Sequence, residues 1–336
     1  MAKIQDNLSN NKFIWQNNRS KLAESYSAES IKSAGYPAHL KIELTNYCNL
    51  ECPVCPRQYM KRPVGYMHID LFRKIILDAK SYLEFIYLHH LGESLFHPQI
   101  GKFISIAREN GIHAGLSTNA TLLDEDKIAD ILSNGLDFLV VSLDAATEIE
   151  YVKHRIGADF SKTFLNVTKL FDLKKKMGSK INIVIQLIQT THSAKEISLF
   201  LQQWKSSAMI KVARDWAGQI KTQNTKHRAI ESKPCKMLWS ELTILWDGHV
   251  VPCANVVDKV NVLGDLNSKS LSEIWNDDPI KELRSRHLSN DLSLIPCCSM
   301  CDGHSLNEKT YIEQSQFEAR LNNYICNDDS PRSGLS

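Results

Sequence analysis

The sequence predicts an α/β chain: a partial (β/α)6 barrel of TIM-like form, followed by a small cysteine-rich domain. Three observations lead there. From residue 39 onward, short apolar runs alternate with amphipathic stretches, the sequence form of repeated βα units around a parallel sheet or barrel. Six such units are too few to close a standard eight-unit barrel. Most of the nine cysteines fall into two groups, one after the first strand and one beyond a polar break near residue 218.

The six strands are read at His39–Leu44, Phe85–His89, His113–Ser117, Phe138–Leu143, Ile181–Ile188 and Ile210–Asp215. Between them lie helices at Ile69–Tyr82, Gln99–Asn110, Asp124–Asn134, Ser161–Met177 and Ala194–Ser206. Asp124-Glu125-Asp126 puts acid where a helix dipole favours it, and Asn134-Gly135 and Asn110-Gly111 supply stops. Residues 1–38 form an N-terminal extension with a helix-compatible stretch at Ser20–Ser33. The core domain is read as 39–217, a linker as 218–234, the cysteine-rich domain as 235–305 and a tail as 306–336.

Composition fixes the class. The 336 residues, 43% hydrophobic and 23% charged, can bury a sizeable core, and a net charge of +2 gives no electrostatic case for nucleic acid or an anionic membrane. No apolar run reaches membrane-spanning length and the start lacks a signal-peptide core, so the expected setting is cytoplasmic. In a reducing compartment an uneven set of cysteines points to metal rather than disulfides.

The chemistry concentrates in Thr45-Asn46-Tyr47-Cys48-Asn49-Leu50-Glu51-Cys52-Pro53-Val54-Cys55-Pro56-Arg57, where Cys48, Cys52 and Cys55 have CxxxCxxC spacing directly after the first strand. Three thiolates can hold three irons of a four-iron cluster and leave the fourth open, whereas structural zinc normally takes four protein ligands. This loop resembles the cluster loop of radical S-adenosylmethionine (SAM) enzymes, whose fold is an incomplete six-unit barrel. The resemblance implies SAM on the open iron of a 4Fe-4S cluster, reductive cleavage to a 5′-deoxyadenosyl radical, and an external electron donor such as flavodoxin or ferredoxin.

The strand ends carry the rest. His90-Leu91-Gly92-Glu93-Ser94 resembles the family's GGEP loop, departing from it at Leu91 and Ser94, and implies that Gly92 and Glu93 face the SAM amino group. Leu116-Ser117-Thr118-Asn119 and Val141-Ser142-Leu143-Asp144 each resemble a family segment in the same order. They imply Ser142 and Arg155 as candidates for the SAM carboxylate, with Ser117 and Asn119 as further contributors. His89, His90 and His97 fit no common zinc spacing and are read as hydrogen-bonding residues.

Beyond the linker, Leu242–Trp246, an Asp247-Gly248 turn and His249–Pro252 read as a hairpin that folds Cys253 back toward Cys235. With Pro296-Cys297-Cys298-Ser299-Met300-Cys301, this makes a closed thiolate site for an iron–sulfur cluster or zinc. The arrangement resembles the SPASM/twitch extension of radical SAM enzymes, in its shorter one-cluster form. It implies Cys235, Cys253, Cys298 and Cys301 as ligands of one auxiliary 4Fe-4S cluster, with Cys297 competing for the place of Cys298. Cys297 and Cys326 are then spare thiols, inert or serving as hydrogen-atom donors. The activity expected is oxidation or epimerisation of a sugar- or aminocyclitol-type small molecule. The alternatives are a peptide or protein maturase, and a non-catalytic metal-binding or electron-transfer protein. Asp215, Glu241 and Asp247 are candidate acids or bases.

Overall fold

A computed structural model describes residues 2–212, 234–299 and 301, with side chains from residue 12 onward and without that of Val212. Asp215, Cys326, the linker up to residue 233 and the 306–336 tail lie outside the described residues.

The first helix, α1 (Ala2–Ser27), is longer than the stretch read from sequence. Five βα repeats and a sixth strand follow: β1 (His39–Ile42), α2 (Ile69–Ala79), β2 (Phe85–Tyr87), α3 (Ile100–Glu109), β3 (His113–Thr118), α4 (Glu125–Ser133) and β4 (Phe138–Ser142). Then come α5 (Glu148–His154), α6 (Phe160–Lys176), β5 (Asn182–Gln189), α7 (Ala194–Trp204) and β6 (Ala208–Val212). The helices start where the chain supplies caps. Asp124 and Asp159 accept from Lys127 N and Lys162 N, each at 2.8 Å.

The segment after the linker is not a detached unit. Its hairpin, β7 (Glu241–Ile244) and β8 (His249–Val251), is followed by β9 (Gly264–Asp265), α8 (Leu271–Trp275), α9 (Asp278–Leu288) and α10 (Pro296–Ser299). β7 pairs in parallel with β1, so one sheet runs in the order β6-β5-β4-β3-β2-β1-β7-β8-β9, and among the described residues no further strand pairs with β6 or β9. The pairings of β7 with β8 and of β8 with β9 are antiparallel.

The two faces of this sheet differ. One carries Leu40, Ile42, Ile86, Leu116, Leu139, Val141, Ile185 and Leu187 into the main core. Helices pack there through stripes such as Ile100, Phe103, Ile104 and Ala107 of α3, at the i, i+3, i+4, i+7 spacing of a helix face. The register puts Lys41, Tyr87, Gly115 and Phe138 together on the opposite face. Near the strand starts Trp15 of α1 packs there on Phe85, Phe138, Val140 and Val184, its indole N–H donating to Leu83 O at 3.1 Å. Among the described residues no helix is long and apolar enough to cross a membrane.

Candidate active site and second cysteine cluster

The cysteine loop leaves the end of β1. Its path is fixed from below by Gly92, which at φ +86° brings its backbone against Thr45 and Asn46; a Cβ there would lie 2.6 Å from the Thr45 carbonyl oxygen. From the other side Glu51 N–H donates to Ile156 O at 3.0 Å, and Arg57 Nη2 donates to Leu50 O at 3.0 Å. Cys52 is buried, while Cys48 and Cys55 are half-buried. None of the eight described cysteines is in a disulfide.

Donors converge on the sulfurs. Cys48 Sγ accepts from Leu50 N at 3.5 Å and Asn119 Nδ2 at 3.8 Å, and Cys52 Sγ from Arg155 Nη1 at 3.5 Å. Burial pushes the Cys48 thiol up to about 11, and Cys55 moves in the same direction for the same reason, with the Cys52 sulfur adding to both. These thiols need a cation to be held as thiolates. Among the described residues no three His, Cys, Asp or Glu side chains stand at the spacing of a single metal ion's ligands. Three thiols from one loop are the donor number for a four-iron cluster with one iron left open, whereas a structural zinc takes four protein ligands, so the donor set suits the cluster.

Glu93 is the knot of the strand ends. Its carboxylate accepts from Leu95 N at 3.1 Å, Thr118 Oγ1 at 2.9 Å and Asn119 N at 2.7 Å, which leaves about one of its four acceptor positions. Burial raises its pKa and these three donors oppose the rise. Arg155 holds Asp144 at 2.6 Å besides Cys52, and its buried Nε has no acceptor. Burial works against the Arg155 charge, but Asp144 and the Cys52 sulfur outweigh it and push its pKa up. Ser142 stands apart from that pair: its hydroxyl meets Ser117 Oγ at 3.3 Å and accepts from Gln186 Nε2 at 3.4 Å.

The sheet face opposite the main core carries, below this rim, Lys41 and Tyr87, which the sequence reading passed over, beside Glu241 and His89, which it named. Lys41 Nζ pairs with Glu241 at 2.6 Å and lies 5.9 Å from the Tyr87 ring centre. His89 Nδ1 accepts from Ser117 N–H at 3.1 Å, and burial lowers its pKa to about 3, with Lys41 and Lys211 adding to the effect. It is therefore neutral with its proton on Nε2. The signal was available. A parallel strand buried on both faces is apolar throughout, and Lys41, Tyr87, His89 and Gln186 break that pattern at alternate positions. His89, His90 and His97 form no triad, their nitrogens going to Ser117 N, Val256 O and Met67 O.

The second cysteines also meet. Burial pushes Cys235 up to about 12 and Cys253 well up, with the other sulfurs of the set adding to each. Cys297 and Cys298 have sulfurs 3.9 Å apart. Cys297 is the member drawn toward the thiolate, to about 7, by the Cys298 S–H and by Asn261 Nδ2 at 3.0 Å. Asn255 Nδ2 donates to Cys301 Sγ at 3.3 Å. Cys297 thus lies with the auxiliary set.

Comparison with known proteins agrees with this division. Residues 42–201 match the family model of the radical SAM superfamily, and 235–302 match the SPASM model, an iron–sulfur cluster-binding domain. The tungsten-containing aldehyde ferredoxin oxidoreductase cofactor-modifying protein of Pyrococcus furiosus is 26% identical over 311 residues, covering 78% of this chain and 86% of that one. The PqqA peptide cyclase of Gluconobacter oxydans is 23% identical over 280 residues, covering 73% and 78%. Among solved structures, Streptococcus suis SuiB bound to precursor peptide SuiA superposes with a TM-score of 0.64 at 16% identity, covering 80% of this chain and 71% of that one.

Proposed function

We propose that this chain, which belongs to the radical SAM superfamily and carries a C-terminal SPASM domain, is a maturase that modifies a peptide. The observation that carries this reading is the match to a peptide cyclase, which runs over 73% of the chain, together with the fold likeness to SuiB bound to its precursor peptide. The sugar or aminocyclitol substrate expected from sequence gives way to the peptide alternative. The family's cofactors are SAM and a 4Fe-4S cluster, with auxiliary iron–sulfur in the SPASM domain.

When bound, the cluster and SAM supply a 5′-deoxyadenosyl radical that takes a hydrogen atom from the substrate. The chain's own part is to bind, orient and exclude water. Cys48, Cys52 and Cys55 are assigned to the first cluster, and Cys235, Cys253, Cys298 and Cys301 to the auxiliary one. Glu93 keeps an acceptor position for the SAM ammonium, and the unpartnered Arg155 Nε–H suits its carboxylate. Gly92, Ser117, Asn119 and Ser142 line the same rim. Lys41, Tyr87 and His89 line the open face where a substrate side chain would sit. Of the candidate acids, Asp247 is held at the hairpin turn by Lys259 at 2.6 Å and His249 at 3.0 Å. Glu241, paired with Lys41 at 2.6 Å, is assigned as the proton acceptor of an oxidation. An external flavodoxin- or ferredoxin-type donor is assigned to deliver the electron.

The test is isotope transfer. Protein reconstituted without oxygen, given SAM and dithionite, is incubated with a deuterated random peptide pool or with a deuterated monosaccharide mixture. Deuterium in 5′-deoxyadenosine from the peptide pool is expected; deuterium from the monosaccharides alone would restore the small-molecule reading.

A further inference from the structure

Five residues beyond Cys55, the strap 60–66 folds back over the first cysteine loop and also grips the second cysteine segment. On the first side, Thr45 Oγ1 donates to Gly65 O at 2.7 Å, Asn46 Nδ2 to Pro63 O at 2.9 Å, and Gly65 N to Asn46 Oδ1 at 2.9 Å. On the second side, Asp258, five residues past Cys253, accepts from Lys61 N at 2.8 Å and Arg62 N at 3.0 Å. Arg62 is the joint. Its Nε donates to Val257 O at 2.7 Å, while Nη1 and Nη2 fork onto Glu43 at 2.6 and 2.5 Å. The pair is sealed from water, with side chains 4% and 0% exposed. Glu43 stands five residues before Cys48 and also accepts from Trp246 N at 3.3 Å in the hairpin leading to Cys253.

The geometry points to Arg62 as a positioning residue that sets the separation between the two cysteine sites. A guanidinium can serve Glu43 and Val257 O together because its donors are fixed in one planar fork; a lysine at this place keeps the charge opposite Glu43 but not the second direction. The placement matters because chemistry between groups is sensitive to small displacements, about 100-fold for roughly 1 Å in well-ordered sites. This inference needs two clusters in one chain and does not depend on the substrate being a peptide.

The test uses the full chain with Arg62→Lys and, where exposure is greater, Asp258→Ala. Amide exchange of the unloaded protein is followed peptide by peptide, and the magnetic interaction between the two reduced clusters of the reconstituted protein is followed by electron paramagnetic resonance. In Arg62→Lys, amides in 253–258 and 60–66 are expected to exchange about ten-fold faster or more while amides elsewhere keep wild-type rates. The inter-cluster interaction is expected to change with it. Wild-type exchange and wild-type interaction in both variants would overturn the proposal. So would faster exchange spread evenly over the chain, which is what a merely structural role gives. Should Arg62→Lys lose iron, exchange on the unloaded protein still decides the matter.

Discussion

Arg155 donates from Nη1 to the sulfur of Cys52 at 3.5 Å, joining the end of α5 to the first cysteine loop across 103 residues of sequence. The same guanidinium holds Asp144, whose side chain is 2% exposed. Arg155→Met therefore leaves a buried carboxylate without its partner and is expected to cost about 3–5 kcal/mol, read as a lower urea midpoint. An Arg155→Met/Asp144→Asn double variant is expected to recover most of that stability, because Asn removes the charge, tolerates the φ of +62° and still accepts from Ile188 N–H. Neither is expected to recover SAM affinity, which should fall about ten-fold or more in equilibrium dialysis because a charge-assisted hydrogen bond is lost. Wild-type SAM affinity in the double variant would remove Arg155 from the SAM site.

Gly92→Ala meets two obstacles, a φ of +86° and the Thr45 carbonyl oxygen 2.6 Å from the new Cβ. A loss of about 1–3 kcal/mol is expected, together with poorer retention of the first cluster. Gly178 provides the comparison, at φ +60° with nothing within 4 Å of a Cβ. Gly178→Ala is expected to lose only the left-handed penalty of about 1–2 kcal/mol, and no iron. Equal iron retention in the two variants would mean that Gly92 does not shape the cysteine loop.

Stability is expected to fall in mild acid. His39 has a buried, unpartnered Nε2, and burial lowers its pKa from 6.5 to about 4, with Arg19 and Lys41 adding to the fall and Glu241 opposing it. The unfolded chain takes up the proton first as pH drops below 6.5, so this contribution is intact above 6.5, shrinks between 6.5 and about 4, and changes no further below. Urea midpoints at pH 7.5, 6 and 5 are expected to decline less steeply in His39→Gln than in wild type. Parallel declines would exonerate His39.

The auxiliary thiols separate by iron content. Wild type is expected to hold about eight irons after reconstitution, and a Cys48/Cys52/Cys55→Ala triple variant about four. Cys298→Ser is expected to drop to about four, while Cys297→Ser stays near eight. The reverse order would exchange their assignments. About four irons in wild type and none in the triple variant would leave zinc as the occupant of the second set.

Most of the sheet was legible because each strand is a local apolar run. The read starts of β1, β2, β3 and β4 coincide with the observed ones, and those of β5 and β6 fall within two residues. α5 was missed for a physical reason: it buries only Tyr151 and His154, while its aliphatic Ile149 and Val152 are 70% and 49% exposed, so no apolar stripe marks it. The pairing of β7 with β1 has no local signature at all, since its partner lies far away in sequence. At the site, Cys48, Cys52, Cys55, Gly92 and Glu93 were legible as motif residues. Lys41 was hidden inside a strand whose apolar neighbours dominated the reading, whereas His89 was read as the hydrogen-bonding residue it is. The clamp of Arg62 on Glu43 was illegible because it depends on two loops meeting.

The β1–β7 pairing also orders events during folding. Lys41 and Glu241 are 200 residues apart, yet their strands are neighbours. Until β7 is synthesised and docks, β1 has only β2 beside it and offers an open edge, the condition that favours off-pathway strand pairing and slows closure of non-local contacts. The loop bearing Cys48 hangs from that edge. The position of that loop is thereby tied to completion of a contact between distant parts of the chain.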